Sequence, residues 1–332
     1  MRVAQIDWWR LLRNLKKASY SIVLIACFAK FCGTGLQLSA QILTKEDLQK
    51  ETAVYEAASL HAETSEMPAV QAGLIWSHLG TLYQDAGMYG QSERAFEHAM
   101  RLLTIVPVSK PELATTIDNL GTLYMETGNV KEAEHAESKA LKIREEAYLK
   151  SELPRSWYHL ATLYLREHRS RKARDFAQRA VDAFFADANA VPEDRTGSLL
   201  VLAFSLCQSH QYPEAITKLE SALRIATQTY GPNLFPTGFS TFLLGYAYWK
   251  NGDLASASEY MQRGSDIIGK QLGSEHPAYL TVMTEYAHFL RDEHRQDVAK
   301  AIELQVKQKR AQLNTNPAYS HTMQTMDIAA LF

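Results

Sequence analysis

Trp157-Tyr158-His159-Leu160-Ala161-Thr162-Leu163-Tyr164 is one of six versions of a phrase that returns along this chain every 40 to 42 residues. The anchors are Leu79-Gly80, Leu120-Gly121, Leu160-Ala161, Leu202-Ala203, Leu244-Gly245 and Tyr286-Ala287. Three positions after each small residue stands a large one (Tyr83, Tyr124, Tyr164, Leu206, Tyr248, Leu290). Twelve positions after it stands another small one (Ser92, Ala133, Ala173, Ala215, Ala257, Ala299). Within the third unit, apolar or small residues at 157, 160, 161 and 164, and again at 173, 176, 177 and 180, step by three and four. That is the period of an amphipathic helix, so each unit predicts two helices joined by a short turn.

The punctuation agrees. Gly87, Gly128 and Gly252 fall in the turns, where a positive φ costs glycine little. Pro68, Pro111, Pro154, Pro192, Pro236 and Pro277 fall near the first-helix starts, where a missing N–H is harmless. Gly80, Gly121 and Gly245 each weaken a helix by about 1 kcal/mol relative to alanine. The expected compensation is close approach of the unit's two helices, with the small residue twelve positions on meeting that spot. One such unit cannot bury its apolar face alone, so neighbours must stack into a quasi-one-dimensional array.

Trp76, Leu79, Gly80 and Tyr83, followed by Gly87, Phe96 and Ala99, resemble a tetratricopeptide repeat. The period exceeds the usual spacing of about 34 residues. With Gly273-Ser274-Glu275-His276-Pro277-Ala278-Tyr279-Leu280 leading into a helix, the chain is similar to the kinesin light chain subtype, found in bacteria too. The resemblance covers residues 68–314 and implies an all-α, right-handed superhelical solenoid of antiparallel helix pairs with about six repeats. Residues 41–67 are expected to add an N-terminal capping helix, with Thr44 and Asp47 at capping-box spacing. Residues 315–332 form a tail ending in the apolar run Asp327-Ile328-Ala329-Ala330-Leu331-Phe332, expected to fold back on the last repeat or to be offered to a partner.

Of 332 residues, 46% are hydrophobic and 16 are tyrosine, enough for a core and too structured for a disordered scaffold. The formal charge is −2 and no clustered basic footprint favours nucleic acid. Basic residues gather instead at the start. Arg10, Arg13, Lys16 and Lys17 precede an apolar run from Ala18 to Ala29, too short for the roughly 20 residues of a membrane span and suited to a secretory signal. Residues 1–40 therefore read as a signal peptide with an exit at Leu38-Ser39-Ala40. Alternatively Leu24-Ile25-Ala26-Cys27 resembles a lipoprotein box, which would make Cys27 the acylated first residue, or the segment stays as an uncleaved anchor. The expected location is the cell envelope or periplasm. Outside this region only Cys207 remains, expected as a buried, inert thiol.

The resemblance also implies a groove lined by first-helix residues two before, one after, four after and five after the small residue. These are His78, Thr81, Gln84 and Asp85 in the first unit, then Asn119, Thr122, Met125 and Glu126, then His159, Thr162, Leu165 and Arg166. The fourth and fifth units give Val201, Phe204, Cys207 and Gln208, then Leu243, Tyr246, Trp249 and Lys250, with Phe239 and Phe242 nearby. The groove thus reads polar early and aromatic late, and polar again in the sixth unit. Peptide-binding relatives place an Asn two before the small residue, and here only Asn119 matches. The candidate partner-binding residues are His78, Asn119, His159, Phe204, Phe242, Tyr246 and Trp249, the last four readable either as a docking patch or as core. His288, Asp292 and His294 match no zinc spacing, and no nucleophile elbow or phosphate-cradling loop occurs. The expected function is non-catalytic and without cofactor: an interaction module for a protein or peptide partner, or else a structural scaffold that self-associates or is tethered through Cys27.

Overall fold

The computed structural model describes residues 45–315, and over them thirteen α-helices form and no strand. The signal segment with Cys27, the cap residue Thr44 and the tail from 316 onward lie outside the described residues. Helix α1 (Lys45–Thr64) is the helix expected within 41–67 and belongs to a first compact unit ending at Glu66. The second unit begins at Met67 and holds the other twelve helices. These pair as α2 (Ala69–Asp85) with α3 (Tyr89–Thr104), α4 (Lys110–Glu126) with α5 (Val130–Glu146), and α6 (Leu153–Arg166) with α7 (Ser170–Ala186). They continue as α8 (Pro192–Gln208) with α9 (Tyr212–Tyr230), α10 (Phe235–Lys250) with α11 (Leu254–Leu272), and α12 (Pro277–Asp292) with α13 (Gln296–Thr315). Each second helix also packs on the first helix of the next pair, so the core runs continuously from pair to pair.

Proline sits at the first turn of α4, α6, α8, α10 and α12, and Pro68 immediately precedes α2, as the sequence predicts. The helices of a pair meet at the small residue. A Cβ built on Gly80 would lie 2.6 Å from the Phe96 ring, and Ser92, fully buried, donates its hydroxyl to the Gly80 carbonyl at 2.8 Å. Ala133, Ala173, Ala215, Ala257 and Ala299, at the position of Ser92, are equally buried.

Each pair turns at the residue seven after the small one. Gly87, Gly128 and Gly252 take φ of 72°, 77° and 90° there, and His168, His210 and His294 take 54°, 59° and 61° at the same position. In every unit the next N–H then closes on the carbonyl of the large residue: Met88 on Tyr83, Asn129 on Tyr124, Arg169 on Tyr164, Gln211 on Leu206, Asp253 on Tyr248 and Arg295 on Leu290, at 2.8–3.0 Å. This is the Schellman closure of a helix end. Histidine thus takes the place of the turn glycine in three units, a place it tolerates better than most side chains.

Candidate functional site

The first helices α2, α4, α6, α8, α10 and α12 carry the implied groove positions. In the late units those positions go to the core. Phe242 is fully buried, Phe204 and Trp249 nearly so, and Val201, Cys207 and Leu243 are buried with them. The cause is close packing: a Cβ on Gly264 of α11 would stand 2.5 Å from the backbone nitrogen of Phe242. Of the two readings, docking patch or core, the core reading holds for Phe204, Phe242 and Trp249, while Phe239 and Tyr246 are half-buried, Tyr246 stacked on Phe204 at 5.8 Å and edge-on to Trp249 at 5.7 Å. Lys250 covers the outer face of Trp249 at 3.4 Å from its centroid. Burial also pushes the Cys207 thiol up to about 12, the inert cysteine expected.

The positions four and five after the small residue form a ladder between units. Arg166 donates to the Met125 carbonyl at 2.9 Å, Gln208 to the Leu165 carbonyl at 3.2 Å, and the Trp249 indole to Asp292 at 2.9 Å. Glu126 accepts from Gln84 in the same register. These bonds satisfy polar groups at the C-terminal ends of the first helices and fix neighbouring pairs in register. Tyr124 and Tyr164 add a second set, donating to Glu93 and Glu134 on the preceding second helices at 2.9 and 2.8 Å. Arg169 of the basic stretch 166–174 is tied to Glu134 at 3.1 Å and lies over the Tyr164 ring. In the sixth unit His288 meets Glu285 at 3.5 Å, while His294 sits in the turn.

The positions two before and one after the small residue in units one to three stand outside the ladder. His78, Thr81, Asn119, Thr122, His159 and Thr162 are all half-buried. Thr81, Thr122 and Thr162 each donate to the carbonyl four residues back, at 3.4, 3.2 and 2.9 Å, which leaves their oxygens able to accept.

Beneath this face, between the second and third pairs, lies a charged cluster that sequence reading missed apart from His159. Glu137 of α5 is fully buried and occupies the position that Phe96, Leu219 and Met261 hold in other units. Its carboxylate fits only because Gly121 has no side chain, an added Cβ there lying 2.6 Å from Oε1. One helical repeat on, fully buried Arg144 stands where Leu103 and Ile268 stand elsewhere. Arg144 Nη1 is 2.5 Å from Asp118 Oδ2 and from Ser156 Oγ, and its Nε is 3.2 Å from Glu152 Oε2. His159 Nδ1 completes the group, 3.4 Å from Glu137 Oε2 and 3.9 Å from Asp118 Oδ2. Burial pushes the Glu137 carboxyl upward, and the facing carboxylates raise the His159 imidazolium against its own desolvation. The signal was available within the repeat frame: Glu and Arg at two positions that are apolar in the neighbouring copies.

Among known proteins, a tetratricopeptide-repeat family profile matches residues 71–146 and 195–270. A search of curated proteins finds no sequence match. Among solved structures, apo RapI superposes with a TM-score of 0.67 at 11% identity, covering 90% of this chain and all of that one. BtubC from P. vanneervenii gives 0.55 at 21% identity, covering 69% of this chain and 91% of that one. The nearly identical kinesin-light-chain TPR-like repeats of Podosopora anserina give 0.50 at 23% identity, covering 62% and 98%. At these identities the likeness is one of fold. Helix pairs with a small residue at the crossing, a Schellman turn and a family match in the same register make residues 71–146 and 195–270 tetratricopeptide repeats, and the remaining pairs share their geometry.

Proposed function

We propose that this chain is a non-catalytic binding module whose first-helix face over α2, α4 and α6 holds an extended segment of a partner protein or a peptide. The observation that carries it is the contrast along the groove. At the offsets two before and one after the small residue, units one to three offer an unbroken run of half-buried polar residues, His78, Thr81, Asn119, Thr122, His159 and Thr162, while units four and five bury Val201, Phe204 and Leu243 there and leave Tyr246 half-buried, before Glu285 and His288 of unit six. Half-buried amides, imidazoles and hydroxyls in a row suit the alternating donors and acceptors of a peptide backbone. Its single Asn, at 119, makes this a shorter amide clamp than in relatives that repeat the residue.

The test is recovery of partners by the immobilised full chain from a cell-envelope extract, followed by titration of the partner recovered. His78→Ala with Asn119→Ala is expected to weaken binding by about tenfold or more at unchanged melting temperature, since a hydrogen bond contributes about 0.5–1.5 kcal/mol. Undiminished binding by that well-folded double variant overturns the reading. The envelope location is a separate proposal resting on Arg10 to Ala29. The mass of the mature N-terminus decides it: Gln41 as first residue supports soluble export, an acylated Cys27 supports tethering, and an intact N-terminus removes both.

A further inference from the structure

We propose that Asp118, Glu137 and His159 bind a divalent transition-metal ion of the zinc class, held between the second and third helix pairs. Three observations carry it. The first is geometry: one oxygen of each carboxylate and Nδ1 of His159 all lie within 4.8 Å of one another. A tetrahedral ion with bonds of about 2.0–2.2 Å sets its ligand atoms about 3.3–3.6 Å apart. The His159–Glu137 separation of 3.4 Å is already in that range, and the His159–Asp118 separation of 3.9 Å enters it by a small side-chain rotation.

The second observation is unmet bonding. Asp118 Oδ1 and Glu137 Oε1 are buried without a hydrogen-bond partner, while Asp118 Oδ2 has Arg144 and Glu137 Oε2 has only His159 Nδ1 at 3.4 Å. Buried carboxylates without donors are costly, and a native fold keeps them where something else supplies the positive charge. Arg144 supplies part of it, but it is anchored from one side, to Asp118 Oδ2, Ser156 and Glu152, and leaves Asp118 Oδ1 and Glu137 Oε1 without a donor.

The third is the donor set, two carboxylates and an imidazole gathered at one point. Imidazole beside two carboxylates favours a transition metal over calcium or magnesium. His159 reaches the two buried carboxylates from the first-helix side, its side chain 21% exposed.

The test is titration of the chelator-stripped full chain with Co²⁺ and Zn²⁺, read by calorimetry and by the visible absorption of cobalt. One equivalent of Co²⁺ with a tetrahedral spectrum, displaced by Zn²⁺, is expected, along with a higher melting temperature for the loaded protein. Glu137→Gln, which keeps the shape of the side chain, and His159→Ala, at a half-exposed position, are each expected to weaken binding at least about 100-fold. A chain with Cys27→Ala and Cys32→Ala is expected to bind as before. No binding overturns the proposal, as does binding that survives both ligand variants or is lost with the two cysteines. Equal affinity for Ca²⁺ or Mg²⁺ overturns the assigned class of metal. Should Glu137→Gln fail to fold, His159→Ala decides. No partner is needed, so this result stands apart from that of the pull-down.

Discussion

At the scale of single residues, the second repeat breaks the rule its neighbours keep. Its crossing position holds Glu137 rather than Phe96 or Met261, and the position seven further on holds Arg144 rather than Leu103 or Ile268. Buried ion pairs recover little net stability, because desolvation offsets the attraction, whereas removing one partner strands the other charge. Arg144→Leu alone should therefore destabilise by about 3–5 kcal/mol. Asp118→Ser with Glu137→Phe and Arg144→Leu, which transplants the first unit's Ser77, Phe96 and Leu103, should be neutral or stabilising by about 1–4 kcal/mol relative to the native chain. Urea denaturation of the single and triple variants, both stripped of metal, measures the two values. A triple variant as damaged as the single one would mean that the cluster is a net source of stability.

At the scale of the helix, the sequence made the elements legible because each boundary has a local cause. Proline opens the first helices and a left-handed residue closes them, so the period alone locates both ends. The groove was less legible, because an offset names a helix face and says nothing of how tightly the next helix lies on it. Phe242 and Phe204 could be wall or core on pattern alone, and the approach of α11 at Gly264 makes Phe242 core. Glu126 shows the same dependence on neighbours. At the end of α4, burial, aided by Asp85 and opposed by the Gln84 hydrogen bond and Arg166, pushes its carboxyl up to about 7. A carboxyl that holds its proton more tightly when folded stabilises the fold below the ordinary carboxylate range, and that contribution is lost as pH rises through about 7. The melting temperature of the metal-free chain should thus fall from about pH 5 to about pH 7 and level off above it. Glu126→Gln should reduce the slope and stabilise at pH 8 by about 1–2 kcal/mol, allowing for solvent screening at a half-buried site. An unchanged slope in that variant would assign the pH dependence elsewhere.

At the scale of the second unit, the array is uneven. From Ala133 of α5 to Ala299 of α13 the buried apolar side chains form one cluster, with Leu202, Phe242, Met261 and Phe289 among them. Units one and two hold smaller clusters, around Phe96, Leu120 and Leu123 and around Ile117, Ala136 and Ala140. The Asp118–Glu137–Arg144–His159 group lies where these meet the large one. In a repeat array stability is approximately a sum of unit and interface contributions, so an interface filled with charges rather than methyl groups is where cooperativity weakens. Helices α2 to α5 should therefore open sub-globally while α8 to α11 stay closed, with amide exchange faster by a factor on the order of 10–100, the effect of about 1.4–2.7 kcal/mol. Hydrogen exchange read peptide by peptide on the metal-free chain checks this, and equal protection on both sides of the charged interface would contradict it. The triple substitution that makes this interface apolar should carry the protection of the later helices back into α4 and α5. Weakness at this place is consistent with a binding face over α2, α4 and α6, because a partner or an ion that bridges the second and third pairs gains stabilisation where the free chain has least.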